Sequence, residues 1–475
     1  MKITNKKLIY IAILSALGLS ACGGGGSSTT TAQDSTVTGV ITGFGSIFVD
    51  GVEYETDDSL FNVDGSSASE NELAIGMVVT LTGSVNADGK TGLASNVVFS
   101  NEIEGVVLAN NYLTDGTLDI MGQTVKVDAE TIFDSSIPSI TLLDDVVVGN
   151  IIEVSGYPTG TGIVHATRLE VKKISKEVSD TLEVKGVVSN LNETAQTFSL
   201  ANLSVDYSSA TFEGLSALAN DLYVEVKSTQ ALSGTTVFAS KVELENEGSL
   251  DYSGNDGDEL EFEGVIVSLG DDMSFVANGQ TVFYNTATEF EYGNQSNLLL
   301  DARVKVECFF DENGSLIAEE VKFRVKSETE VTGIIESIDL DEKTVTVMGN
   351  TYHVGNNTIM RDDKDEGVEP VRYFDLSDVA TNDLVEVKYY KDSETNKLMV
   401  TKFERDDDDD SSNDDWSVEG VVESVDLATH TMIISGVTVD FGAFPDFSAR
   451  AGTKVEAEGV YNNSTLIASA VEFDD

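Results

Sequence analysis

The sequence has few cysteines, histidines and basic side chains, and each shortage excludes a class of site. Its two cysteines and three histidines, in 475 residues, share no metal-ligand spacing, which argues against a Cys/His zinc site. Only 28 Lys and Arg stand against 83 Asp and Glu, and the resulting net charge of −55 repels phosphate backbones and anionic lipid headgroups. We therefore expect no nucleic-acid partner and no polybasic contact with a membrane.

Catalytic motifs are lacking as well. The chain contains no G-x-S-x-G, H-E-x-x-H, P-loop or dinucleotide-binding fingerprint. Paired carboxylates carry no information in such a chain, because acidic residues occur throughout it. The sequence predicts that the protein is not an enzyme and that it requires no cofactor.

Residues 1–21 have the layout of a secretory signal. A basic start precedes the apolar run Leu8–Leu19, which is too short to span a bilayer as a mature helix. The run ends in Leu19-Ser20-Ala21-Cys22, which resembles a bacterial lipobox, where the cysteine becomes the lipidated first residue of the mature chain. The alternative is an ordinary signal peptide followed by an incidental cysteine.

The residues after Cys22 indicate where the lipid would hold the protein. Residues 22–36 are rich in Gly, Ser and Thr and are expected to form a tether. Gly23, in place of an aspartate, resembles the signal that sorts Gram-negative lipoproteins to the outer membrane. With Cys22 lipidated, Cys308 stands alone and no intrachain disulfide can form. We expect an outer-membrane lipoprotein whose membrane contact is this anchor.

Six copies of one pattern fill the rest of the chain. In each copy a glycine is followed by two β-branched residues and preceded, two positions earlier, by an apolar residue; these glycines are Gly39, Gly105, Gly186, Gly264, Gly333 and Gly420. A second landmark is a residue that tolerates positive φ, which predicts one recurring turn; it is filled by Gly76, Gly149, Asp221, Asp301, Asn382 and Gly452.

Period-two alternation and hairpin signals such as Asn86–Gly89 predict an all-β fold. We expect six tandem small β-barrels, OB-like or SH3-like, of about five to six strands each, arranged as beads on a string. A continuous β-solenoid is the alternative, although its coils would need a shorter and more regular period. The predicted units are 37–101, 102–178, 179–248, 260–328, 329–405 and 417–475, with acidic linkers at 249–259 and 406–416.

The first unit carries a family resemblance. Gly39–Thr56, with the core G-F-G-S-I-x-V-D-G-V, resembles the opening of a repeated bacterial domain catalogued as domain of unknown function 5666. Later units keep the glycine–apolar pattern but lose the Gly-Phe-Gly-Ser segment, and the likeness extends over residues 37–475. It implies exported, often lipidated, β-rich modules without an established activity, so no family site can be carried over.

The densest charge in the chain lies in the second acidic linker. A solvated linker is one interpretation, because so many carboxylates cannot pack together. A low-affinity Ca²⁺ site is the other, because Ca²⁺ takes six to eight oxygen ligands. Its candidate ligands are Asp406, Asp407, Asp408, Asp409, Asp410, Asp414 and Asp415.

Two aromatic residues are candidate ligand contacts. Phe44 lies between two glycines and would either face a ligand or fill the core of the first barrel. Trp416, the one tryptophan, would either stack on a ligand such as a sugar or pack against a strand edge. Cys308 is interpreted as a partly buried free thiol.

These observations favour a non-enzymatic, lipid-anchored cell-envelope protein that presents β-barrels as a binding or spacer surface. One alternative is a Ca²⁺-responsive acidic envelope protein. Another is a carbohydrate-binding or adhesin-like module, whose partner would be an envelope protein or a polysaccharide.

Overall fold

Five core strands recur in the same order in each of six units. The computed structural model describes residues 35–245, 254–327, 329–362, 372–405 and 416–473. The first strands of units 1, 4 and 6 begin at Ser35, Glu259 and Trp416, one or two residues before the predicted units. The ends of the predicted tether and linkers are therefore part of the sheets.

The first three units contain the following core strands, in chain order. Unit 1 contains Ser35–Phe44, Ile47–Val49, Val52–Glu55, Val78–Val85 and Thr91–Phe99. Unit 2 contains Ile103–Asn111, Thr117–Ile120, Gln123–Lys126, Ile151–Pro158 and Ile163–Lys173. Unit 3 contains Leu182–Asn192, Thr197–Leu200, Leu203–Asp206, Tyr223–Ser228 and a fifth strand interrupted into Thr236–Phe238 and Lys241–Leu244.

The other three units follow the same order. Unit 4 contains Glu259–Gly270, Ser274–Ala277, Gln280–Phe283, Arg303–Phe310 and Leu316–Phe323. Unit 5 contains Thr329–Asp339, Thr344–Val347, Asn350–Asp362, Leu384–Lys391 and Leu398–Arg405. Unit 6 contains Trp416–Asp426, Thr431–Ile434, Val437–Asp440, Lys454–Asn462 and Thr465–Phe473.

Short elements join the third and fourth core strands in several units. The short strands are Leu60–Val63, Ser66–Ala68, Ile132–Ser135, Thr211–Glu213 and Glu289–Glu291. Single 3₁₀ turns lie at Glu70–Glu72, Leu143–Asp145, Gln295–Asn297 and Leu376–Asp378. One helical turn, Tyr112–Asp115, lies between the first two strands of unit 2.

The strand pairing closes each unit into a small barrel. In unit 6 the first strand pairs antiparallel with the second and fourth, the second with the third, and the fourth with the fifth, while the third and fifth run parallel. Units 1 to 5 repeat this order. In unit 3 the first piece of the fifth strand pairs with the third strand, and the second piece pairs with the fourth strand. This is the order of an OB-like barrel. The predicted all-β class and small-barrel repeats are confirmed.

The arrangement differs from the expected beads on a string, because the barrels pair through their first strands. The first strands of units 2 and 3 pair antiparallel, as do those of units 5 and 6, and those of units 1 and 4 pair in parallel. The start of each first strand would otherwise leave backbone donors and acceptors unpaired at a sheet edge, and a neighbouring barrel satisfies them. Residues 34–475 accordingly form one compact unit.

The hydrophobic core follows this pairing. Units 2 and 3 share one continuous core, units 5 and 6 share a second, and units 1 and 4 each have their own. A small further cluster of Val40, Tyr157 and Val265 lies where units 1, 2 and 4 meet. Burial is thus distributed over the barrels and the contacts between them.

Candidate functional site

Three carboxylates converge on the outside of unit 3. Glu225 lies on the fourth strand, Glu243 is directly opposite it on the fifth, and Glu245 follows that strand. Their ligand atoms all lie within 4.8 Å of one another. Glu225 is buried and the other two are half-buried, and burial, followed by repulsion from Glu225 and Glu243, raises the pKa of Glu245. Such a group has the oxygen ligands that a hard cation prefers.

Lysines neutralise much of this group. Lys227 Nζ lies 3.0 Å from Glu225 Oε2, and Lys241 Nζ lies 2.5 Å from Glu243 Oε2. Lys185, on the first strand of unit 3, is directly opposite Glu225 on its other side and lowers the pKa of Glu245. The carboxylates are therefore part of an alternating pattern of acids and lysines across neighbouring strands, which stabilises a sheet through cross-strand pairs.

Sequence reasoning did not find this group. The signal was present as Glu225-Val-Lys and Lys241-Val-Glu-Leu-Glu245, where charged residues alternate with apolar ones along a strand. The register that places Glu243 opposite Glu225 depends on the interruption of the fifth strand at Ala239 and Ser240, which the sequence pattern does not specify.

The predicted lipidation and calcium residues lie outside the part of the chain that the structure describes. This applies to Cys22 and to the acidic run 406–415. Both therefore stay predictions. Within the described residues, no helix has the length and hydrophobicity needed to cross a bilayer.

Phe44 is placed in the core of the first barrel. Its side chain is 5% exposed, and the guanidinium of Arg372, from unit 5, lies 3.7 Å from the ring centroid. Arg372 also donates hydrogen bonds to the carbonyl oxygens of Glu70 and Leu73. Phe44 thus occupies the position expected of a core aromatic residue and contributes to the contact between units 1 and 5.

Trp416 lies between units 5 and 6. Its ring stacks on Tyr461 with centroids 5.2 Å apart, and a Cβ added to Gly333 would meet the indole. The glycine therefore leaves the space that the tryptophan fills. Trp416 is half-buried.

The histidines and Cys308 are separated in space as well as in sequence. His165, His353 and His430 lie in units 2, 5 and 6. His165 Nε2 is 3.8 Å from Asp301 Oδ1 of unit 4, and burial, with Lys126 second, lowers the pKa of His165 to about 4. The Cys308 thiol is 2% exposed and donates to the carbonyl oxygen of Leu260, and burial raises its pKa to about 12. These environments keep the imidazole neutral and the thiol protonated.

The fold and these contacts define a class of protein, a tandem array of small OB-like barrels that pair through their first strands. The sequence profile described as Domain of unknown function (DUF5666) matches residues 104–170, 185–243, 263–322, 332–399 and 419–472. These segments make up more than half of the chain, which therefore belongs to this family. No curated protein matches the chain.

The family matches agree with the repeat landmarks. Each match begins at the residue before the first-strand glycine of units 2 to 6, for example at Glu104 before Gly105. Residues 37–101, whose motif shows the clearest likeness in the sequence, lie outside these matches, although they fold with the same strand order. Strand order thus identifies the first unit as a further copy.

Proposed function

We propose that the protein is a non-enzymatic, lipid-anchored component of the cell envelope that presents its paired barrels as a binding or spacer surface. The structural observation behind this proposal is that oppositely charged side chains pair across the contacts between units. Lys126 of unit 2 pairs with Asp301 of unit 4 at 2.9 Å, and Lys305 of unit 4 pairs with Asp50 of unit 1 at 2.7 Å. These two lysines, in a chain where basic residues are scarce, join neighbouring barrels.

The anchor is tested by removing the proposed lipid attachment. Cys22→Ala is expected to move the protein from the membrane fraction to the soluble fraction, because acyl chains contribute about 0.8 kcal/mol for each buried CH₂ group. Fractionation and mass spectrometry of the mature N-terminus measure the result. Cys308→Ala is the matched control and should leave the protein on the membrane. A wild-type protein that is already soluble, or a membrane-bound Cys22→Ala variant, would contradict the proposal.

Calcium responsiveness is a second candidate, supported by the acidic run 406–415. Glu225, Glu243 and Glu245 also converge, although Lys227 and Lys241 already pair with two of them. If Ca²⁺ binds, millimolar CaCl₂ should compact the chain in small-angle scattering more than NaCl of equal ionic strength does. Glu243→Gln and Glu245→Gln should reduce the effect if unit 3 contributes to it. Identical scattering profiles in the two salts would eliminate this function.

The partner of the presented surface is proposed to be an envelope protein or a polysaccharide. The OB-like topology supports the second choice by analogy, because such barrels bind oligosaccharides on the face of their second and third strands. A glycan array probed with residues 23–475 distinguishes a polysaccharide partner from a protein partner. If no glycan binds, protein assembly or spacing is the role that remains.

A further inference from the structure

Two of the contacts between barrels place glutamates directly opposite each other. Where units 2 and 3 meet, Ile103 is opposite Val184 and Glu104 is opposite Glu183. Where units 5 and 6 meet, Val418 is opposite Val331 and Glu419 is opposite Glu330. We call each of these antiparallel contacts between two first strands a seam, and the two seams share one register. Like charges directly opposite across antiparallel strands destabilise the pair, so each seam contains a built-in repulsion.

The seam between units 2 and 3 extends this repulsion to a row of four acids, Glu170, Glu153, Glu104 and Glu183. Glu153, on the fourth strand of unit 2, is opposite Glu104 on the side away from Glu183. Lysines bind the other three acids: Lys172 Nζ is 3.3 Å from both Glu153 Oε2 and Glu170 Oε1, and Lys227 Nζ is 2.8 Å from Glu183 Oε2. Glu104 is left in the middle of the row, without a lysine of its own directly opposite.

The groups around Glu104 make it a weak acid. Burial, followed by repulsion from Glu153, raises its pKa to about 7; Lys172 opposes this rise, and Glu183 and Asp64 of unit 1 add to it. Glu104 therefore faces charged groups on its own barrel, on unit 3 and on unit 1.

The seam between units 5 and 6 is an internal comparison. There Glu330 has Lys388 directly opposite, with Nζ 2.6 Å from Glu330 Oε2, and Lys454 pairs with Glu419. Burial, followed by repulsion from Glu386, still raises the pKa of Glu330, but a lysine adjoins each member of the pair. Glu419, like Glu104, has a further acid directly opposite it, Glu456, but Lys454 pairs with Glu419, whereas both residues directly opposite Glu104 are acids.

We propose that Glu104 is a proton-binding site and that its ionisation loosens the contact between units 2 and 3, so that this contact is a pH-responsive joint.

The direction follows from linkage. The folded state binds the Glu104 proton more tightly than the unfolded chain, whose glutamate has the ordinary value of 4.5. The stability that this proton contributes is fully present below pH 4.5 and is lost as the pH rises through about 7. A mildly acidic medium should therefore tighten the seam, and a mildly alkaline one should loosen it.

The experiment follows a hydrogen bond that crosses the seam, from the Lys185 amide to the Glu102 carbonyl oxygen at 3.0 Å. In the full chain, hydrogen exchange at this amide, corrected for the intrinsic effect of pH, should show protection falling about tenfold or more between pH 5 and pH 8. A tenfold change corresponds to one pKa unit. This is less than the full rise of the Glu104 pKa, from 4.5 to about 7, because the side chain is partly exposed. Glu104→Gln should keep the protection high at pH 8.

Glu55→Gln, which removes one exposed carboxylate from the third strand of unit 1, is the matched control and should keep the wild-type pH profile. A Glu104→Gln variant whose protection falls as steeply as that of the control would overturn the proposal. A direct titration covers the case of a misfolded variant: in wild type, ¹³C NMR of the side-chain carboxyls should show a glutamate titrating between pH 6 and 8. Its absence would also overturn the proposal.

Discussion

Gly156→Ala is expected to lower the free energy of unfolding of unit 2 by about 3 kcal/mol. A Cβ at Gly156 would overlap the carbonyl oxygen of His165 on the neighbouring fifth strand, well inside van der Waals distance, and would crowd Ala166 Cα. Both contacts are with backbone, so the new methyl group cannot be accommodated by a rotamer change. The ladder between the fourth and fifth strands must shift instead.

Native-state hydrogen exchange of Ile151–Pro158 and Ile163–Lys173 measures this loss locally, which matters because a body of six barrels need not unfold in one step. Gly355→Ala is the control, since an added Cβ there has only Asn357 N, at 4.0 Å, within reach. It should change stability by less than about 0.5 kcal/mol. Equal effects of the two substitutions would show that the backbone around Gly156 accommodates a Cβ without this cost.

The position of Gly156 is a β-bulge that recurs along the chain. The register between the fourth and fifth strands shifts next to the same position in five units, at Gly83, Gly156, Cys308, Tyr389 and Gly459. In unit 3, Ser228 holds this position beside the interrupted fifth strand and donates to the Phe238 carbonyl oxygen at 2.7 Å. Units 4 and 5 therefore carry a side chain at this position with the same register shift, and unit 3 carries one beside an interrupted strand. The cost of Gly156→Ala comes from the close approach of His165 and Ala166 to Gly156.

Local backbone requirements were predictable from the sequence. The second landmark of the repeat has positive φ in all six units, from 67° at Asp301 to 102° at Gly149. The hairpin glycines Gly89 and Gly314 likewise have positive φ. These predictions succeed because the residue types that tolerate such angles are few and the angle depends on the turn itself.

The pairing of the barrels could not be predicted in the same way. Thr36–Thr38 pairs with Leu260–Phe262, more than two hundred residues away, and nothing in either segment marks the other as its partner. The carboxylate group at Glu225 was missed for a related reason, since its members meet only through strand register. Alternating acids and lysines occur on many strands of this chain, so the pattern alone does not identify which of them converge.

Arg303→Met is expected to cost about 3 to 5 kcal/mol at neutral pH, because it leaves a buried carboxylate without its cation. Arg303 Nη2 and the Tyr157 hydroxyl both donate to Glu263 Oε2 at 2.8 Å, and the guanidinium lies 4.8 Å from the Tyr157 ring centroid. Tyr157 belongs to unit 2 and the other two residues to unit 4. The substitution should therefore weaken the contact between these units as well as the barrel that carries it.

The pH dependence of this loss has a definite sign. Burial is the largest single influence and opposes ionisation of Glu263, but Arg303, Arg324 and the Tyr157 hydroxyl together outweigh it and lower the pKa of Glu263 to about 2. In wild type the contribution of this carboxylate is present above its ordinary value of 4.5 and is lost as the pH falls through about 2. Without Arg303, only Arg324 and the Tyr157 hydroxyl oppose burial, so the pKa of Glu263 rises and the variant recovers stability as this glutamate protonates. The difference between variant and wild type should be largest at pH 7 and should narrow towards pH 4.

Hydrogen exchange of the strand Glu259–Gly270 between pH 4 and 7 measures the difference, and a double-mutant cycle assigns it. Glu263→Gln combined with Arg303→Met should restore part of the stability, because the amide keeps an acceptor for Tyr157 without a buried charge. Arg450→Met, at an exposed arginine of unit 6, is the control and should be nearly neutral at every pH. The loss of stability in Arg303→Met could instead be independent of pH and unchanged in the double variant. That result would assign the loss to packing of the arginine on Tyr157, and the ion pair would then have no part in joining units 2 and 4.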